Sequence, residues 1–125
     1  MGRFSELSDC ELTTMKCIWD SGEPVTAHEI IRQLKRDYGL DYKESTVYTF
    51  IKKLKDKGFA KSYRDGVTFY FPIRNEEEYR GAHLNQARDF WFKGSTVDMV
   101  CELFRLKHPT PEERDTLMKV LEQSG

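Results

Sequence analysis

The chain has 125 residues and a formal net charge of −1, with 33% of its residues charged. That is the size of one domain, or of one small domain with an appendage. No apolar run approaches the ~20 residues of a membrane span. The N-terminus MGRFSELSDCEL has no apolar core followed by a cleavage site, and Met1-Gly2 with Ser5 does not fill the acylation pattern, so a cytoplasmic chain is expected.

The first helix is predicted from about Asp9 to Asp20. Ser8 and Glu11 form a capping-box pattern at its start, and Leu7 with Leu12 stands where a hydrophobic staple would close it. Leu12, Met15, Ile18 and Trp19 are its inward residues, and Gly22 and Pro24 end it. Val25-Thr26 is short and extended, fit to pair with a later strand. A second helix from about Ala27 to Tyr38 follows the Thr26/Glu29 pattern, with Ile30, Ile31 and Leu34 inward and Gly39 as a left-handed stop. The third helix repeats Val47, Phe50, Ile51 and Leu54 at helical spacing. It shows Thr46, Tyr48, Thr49, Lys52 and Lys53 on its other face, and Gly58 closes it. The pattern then changes to period two, with Phe59, Val67, Phe69, Phe71 and Ile73 as inward positions and Asp65-Gly66 as the turn of a hairpin. Helix, short strand, helix, helix, strand, strand is a winged helix-turn-helix, complete in residues 1–73.

Residues 74–125 are a different object. A helix over about 76–93 follows the Asn75/Glu78 pattern, with Tyr79, Ala82, His83, Phe90 and Trp91 as contact residues. Gly94-Ser95 breaks it. In the next helix, 96–107, Val97, Val100, Cys101 and Phe104 lie on one side, and Met99, Leu103 and Leu106 on another. A helix apolar on more than one side must be buried on more than one side. The last helix, Pro111–Gln123, begins at the Thr110/Glu113 pattern and adds Leu117, Val120 and Leu121. Two short helices cannot bury this surface alone, so a second copy of the chain is the expected cover. The expected fold is therefore mainly α with a small antiparallel sheet: a winged helix-turn-helix domain over 1–73, then C-terminal dimerisation helices over 74–125.

The charge is distributed unevenly. Residues 1–42 carry −3, residues 43–64 carry +5 and residues 65–125 carry −3. All the positive excess sits on the third helix and the wing, and phosphate binding needs only a local cationic surface. A helix that hides one side and offers hydroxyls and lysines on the other suits a major groove. The expected DNA contacts are Lys43, Ser45, Thr46, Tyr48, Thr49, Lys52, Lys53, Lys61 and Arg64. The competing reading is a protein-interaction module that docks an acidic partner on this face; the hydroxyls, which electrostatic docking does not need, favour DNA. Cys10, Cys17 and Cys101 are scattered and His28, His83 and His108 stand alone, so no metal site is expected. No nucleophile–base set and no phosphate-cradling glycine loop points to catalysis.

Leu7-Ser8, Ile18-Trp19, the run TVYTFIKKLKDKGF from Thr46 to Phe59, and Phe69-Tyr70-Phe71 together resemble the penicillinase-repressor family (BlaI/MecI/CopY type) of bacterial transcription regulators, over nearly the whole chain. The resemblance implies a homodimeric repressor that binds a palindromic operator through its winged helix and dimerises through its C-terminal helices. For the antibiotic-resistance members it implies release by a cut in the dimerisation region, with a membrane metalloprotease sensor or an associated protease as partner. For the copper members it implies a C-terminal cysteine cluster. This chain ends LEQSG with no such cluster, so no cofactor is expected. Where the resistance repressors are cut at an Asn-Phe bond, it reads Glu102-Leu103-Phe104, and the bond is not matched.

Overall fold

The computed structural model describes residues 6–124. The leader and acylation readings rest on residues 1–5 as well, and Met1, Gly2 and Ser5 lie outside the described residues. The elements are α1 (Asp9–Ser21), β1 (Val25–Thr26), α2 (Ala27–Tyr38), α3 (Glu44–Asp56), β2 (Ala60–Asp65), β3 (Val67–Pro72), α4 (Glu76–Phe92), α5 (Thr96–Leu106) and α6 (Pro111–Gln123). The sheet is antiparallel in the order β1-β3-β2. The fold is thus mainly α with a small antiparallel sheet, a winged helix-turn-helix followed by C-terminal helices. Among the described residues no helix is long and apolar enough to cross a membrane.

Local chemistry sets the helix ends. Ser8 Oγ accepts from the Glu11 N–H at 3.2 Å and Glu11 returns the bond to the Ser8 N–H. Thr110 and Glu113 close the same reciprocal box on α6. Thr26 and Asn75 accept from the N–H groups of Glu29 and Glu78. Ser95 caps α5 in the same way, from the Asp98 N–H at 3.1 Å. Gly22 and Gly39 end α1 and α2 with φ of 70° and 66°, a conformation glycine adopts without a Cβ penalty.

The core joins Met15 and Ile18 of α1, Ile30 and Leu34 of α2, and Val47, Ile51 and Leu54 of α3 to Phe59. Leu12, Trp19 and Ile31 pack at its margin. Phe50 is half-buried, edge-on to Tyr42 at 5.2 Å between ring centroids. Cys17 is fully buried, and burial pushes its thiol up to about 11. Cys10 is half-buried with its Sγ 3.2 Å from Tyr42 Oη.

The wing corrects the expected alternation. Tyr70 is the buried residue of β3, while Val67 and Ile73 are exposed and Phe69 and Phe71 half-buried. The register explains this. Tyr70 pairs with Val25 on one side and Ser62 on the other, so this row faces the helices. Phe69 pairs with Tyr63 in the opposite row, and their rings stack at 5.5 Å. Asp65 pairs with Val67 across Gly66 alone, at φ 74°.

The chain divides into two compact units between His83 and Leu84, past the boundary drawn at Ile73. The reason is Tyr79, which is buried with its ring against Phe59 at 5.2 Å and Trp19 at 5.9 Å. The Trp19 indole N–H donates to the Arg74 carbonyl at 2.9 Å, and Lys16 pairs with both Glu76 and Asp20. In the second unit no described residue of α5 or α6 is buried. Phe90 and Trp91, expected as contacts, are exposed, as is Ala82.

Among the described residues three ion pairs join distant parts of the first unit, Lys16–Glu76, Arg74–Glu6 and Lys57–Glu11, and the last engages a buried carboxylate. Lys57, at the C-cap of α3, donates to Glu11 at 2.6 Å and to the Glu6 carbonyl at 2.9 Å. Glu11 is buried, which raises its pKa, but the bonds from Lys57 and Ser8 outweigh burial and leave it below its ordinary 4.5. A carboxylate depressed in this way stabilises the fold at neutral pH, and the stabilisation is lost as pH falls through its folded value.

Two outcomes follow. A fragment ending at Ile73 is expected to be less stable in urea than one ending at His83, by about 3–5 kcal/mol, the scale of losing one buried aromatic ring. Lys57→Met is expected to cost about 1–3 kcal/mol at neutral pH, because it leaves a buried acceptor without its partner. Its stability profile is expected to flatten on the acid side, where the wild type loses the Glu11 contribution. Equal acid limbs in the two proteins would refute this role for the pair.

Candidate nucleic-acid interface

The stripe Val47, Ile51, Leu54 seats α3 on the core, and all three residues are buried. Helical geometry then turns Ser45, Tyr48, Thr49, Lys52 and Lys53 to solvent, with Thr46 half-buried beside them. Thr49 Oγ1–H donates back to the Ser45 carbonyl at 3.0 Å, which leaves the hydroxyl oxygen facing out as an acceptor. The N-cap of α3 is Lys43, with no side-chain cap bond, unlike the capped starts of α1, α2, α5 and α6. An uncapped helix start carries the positive end of the helix dipole and favours an anion.

The cations divide into two groups. Lys57 is engaged by Glu11, Lys52 by Asp56 at 2.8 Å, and Lys55 by Ser62 Oγ at 2.9 Å. Lys43, Lys53, Lys61 and Arg64 are exposed and appear in no ion pair among the described residues. The wing places its two cations on different faces: Lys61 lies in the row of Tyr63 and Phe71, and Arg64 in the row of Ser62 and Tyr70. Tyr48 stands beside the buried Tyr70. Burial raises the Tyr70 phenol, and the neighbouring Tyr48 adds to the shift.

The structure therefore brings Lys43, Ser45, Thr46, Tyr48, Thr49, Lys52 and Lys53 onto one helix next to the wing that carries Lys61 and Arg64. Lys55, absent from the expected set, belongs to the same surface. The signal was available, since it follows Tyr48 and Lys52 at helical spacing. Val97, Val100, Cys101, Leu103, Leu117, Val120 and Leu121 are exposed in the C-terminal helices, and Phe104 is half-buried. Among the described residues no group of three or more His, Cys, Asp or Glu is arranged to hold a metal ion.

The family model described as Penicillinase repressor matches residues 7–123. The penicillinase repressor of Bacillus licheniformis is 25% identical over 124 residues, covering 98% of this chain and 94% of that protein. The structure of H. salinarum RosR aligns with a TM-score of 0.52 at 14% identity, covering 95% of this chain and 94% of that one. That likeness concerns the fold alone. The solution structure of Bacillus licheniformis BlaI, in its monomeric form in complex with the blaP half-operator, is 28% identical with a TM-score of 0.49, covering 61% of this chain and 90% of that one.

Despite its net charge of −1, the protein is expected to be retained on immobilised heparin at neutral pH. Lys53→Ala and Arg64→Ala are each expected to elute at lower salt, since each removes an unpaired cation. Lys57→Met is expected to elute with the wild type. Earlier elution of Lys57→Met alone would reverse the division of the cations drawn here.

Proposed function

The chain belongs to the penicillinase repressor family, and from that premise we propose that it is a cytoplasmic transcriptional repressor that binds operator DNA as a homodimer. In this reading α3 enters the major groove and the β2–β3 wing lies on the adjacent backbone. The observation that carries it is the outer row of α3, where hydroxyls and unpaired cations stand together at an uncapped helix start. Ser45, Thr46, Tyr48 and Thr49 lie in the first turn and a half, the part of a recognition helix nearest the base edges. Lys43, Lys52, Lys53, Lys61 and Arg64 address phosphates, which position the protein without reading sequence. A module that docked an acidic protein would use the same cations but not the hydroxyl row.

The second copy is assigned to the C-terminal helices. α5 exposes Val97, Val100, Leu103 and Leu106, and α6 exposes Leu117, Met118, Val120 and Leu121. Between them runs a groove of about 640 Å³ lined by Leu103, Phe104 and Leu117 among others. An apolar surface of this extent calls for a cover, and a copy of the same helices supplies matching residues. Two-fold symmetry then requires a palindromic operator, with half-site centres about one helical turn or a multiple apart. Repression is relieved when the tether fails, because two linked wings bind tightly only through effective concentration. Proteolysis within α5, by a membrane sensor or an associated protease, is the form this reading gives to release.

Selection from a random duplex library is expected to return palindromes, and sedimentation of the full chain a dimer. Val100→Glu is expected to yield monomers and weaken the selected site at least about tenfold. Tyr48→Ala is expected to narrow the gap between selected and random DNA by about 1–3 kcal/mol. Non-palindromic selected sites would sink the dimer reading. An unchanged gap with a lowered melting temperature would make Tyr48 structural.

A further inference from the structure

The side of α3 that faces the wing carries its own arrangement. Tyr48, Lys52 and Lys55 succeed one another at helical spacing and stand in one line along the helix. With Ile51, Asp56 and Tyr70 they line a depression of about 300 Å³ between α3 and β3. Lys55 Nζ donates to Ser62 Oγ at 2.9 Å, which holds its ammonium at the junction with β2. An ammonium has three protons, so this bond leaves two for a ligand. Lys52 Nζ meets Asp56 at 2.8 Å across an exposed surface, with side-chain exposures of 76% and 62%. Two ammonium groups and the Tyr48 phenol thus border one opening, and Asp56 is the one carboxylate among its lining residues.

We propose that this depression seats one backbone phosphate of the bound duplex, held by Lys55 and Lys52, and that Asp56 is a resident competitor that pairs with Lys52 until the phosphate arrives. The proposal rests on the DNA-binding reading above. If α3 fills the major groove and the wing lies beyond it, the strand between the grooves passes between the two elements. A phosphodiester carries a single charge and exposed oxygens, and a pair of ammonium groups suits it. It cannot share Lys52 with Asp56 at no cost, since two anions would then lie side by side. Lys52 therefore exchanges one anion for the other, and DNA of any sequence is bound more weakly than the charge of the helix alone would give.

The test uses the full chain and a duplex of random sequence, titrated with salt. Lys55→Gln keeps a donor for Ser62 but loses the charge, and is expected to lower the log–log salt slope by about one. Lys55→Arg is expected to restore the slope, and Ser62→Ala to retain it, with melting temperatures close to wild type in each case. Asp56→Asn is expected to raise affinity for the random duplex about two- to fivefold, the range of an exposed ion pair. An unchanged slope in Lys55→Gln, or unchanged or lower affinity in Asp56→Asn, would overturn the seat while leaving DNA binding intact. A wild-type chain that bound no duplex at any salt would remove the DNA-binding reading as well.

Discussion

Phe59 is fully buried where helix, wing and α4 meet. Its N–H donates to the Leu54 carbonyl at 2.9 Å, which closes α3 behind Gly58. Its own carbonyl accepts from the Ile73 N–H at 2.9 Å, which draws the end of β3 back to the start of β2. The ring meets Tyr79 edge-on and lies under the Arg74 guanidinium at 4.4 Å. A buried aromatic ring contributes about 3–5 kcal/mol relative to alanine, and here that energy is shared by three elements. Phe59 is thus a joint between α3 and the wing, and the bond from Lys55 to Ser62 ties the same two elements at the surface.

With that joint in place, the charge of α3 becomes selective. Seven cations occur between Lys43 and Arg64, yet they do not form a uniform surface. Glu11 draws Lys57 inward to hold the C-terminal end of α3 against the start of α1. Asp56 engages Lys52 along the helix. The remaining cations lie at the N-terminal start, along the outer face and on the wing. One lysine thus serves the fold and the others the surface, a distinction that residue type does not announce.

The local features were legible from the residues. The starts of every helix but α3 follow from Ser, Thr or Asn with a carboxylate three residues on, and stops follow from glycine, because each signal acts within a few positions. Ser95 with Asp98 obeys the same rule under a weaker signal, because aspartate stands where the others have glutamate. The wing was misphased because Phe69-Tyr70-Phe71 offers an apolar ring to both faces, so alternation alone gives no sign. Pairing of Tyr70 with Val25, far away in sequence, decides it. The Glu11–Lys57 pair and the place of Tyr79 in the core are likewise set by distant residues. The cationic face of α3 was legible as a whole, but the partners of Lys52, Lys55 and Lys57 came only with the structure.

In the second unit, α5 and α6 bury no described residue within one chain. Short isolated helices are marginal in water, so under the proposed dimer these helices take their stability from the other protomer. Their persistence then depends on protein concentration by mass action. A sparse repressor would spend more time as single chains with an open, protease-accessible tail, and would be cleared faster than an abundant one. The half-life of the protein would therefore rise with its own abundance. Under the proposed dimer, repression would then have a threshold in protein concentration, separate from any inducing signal.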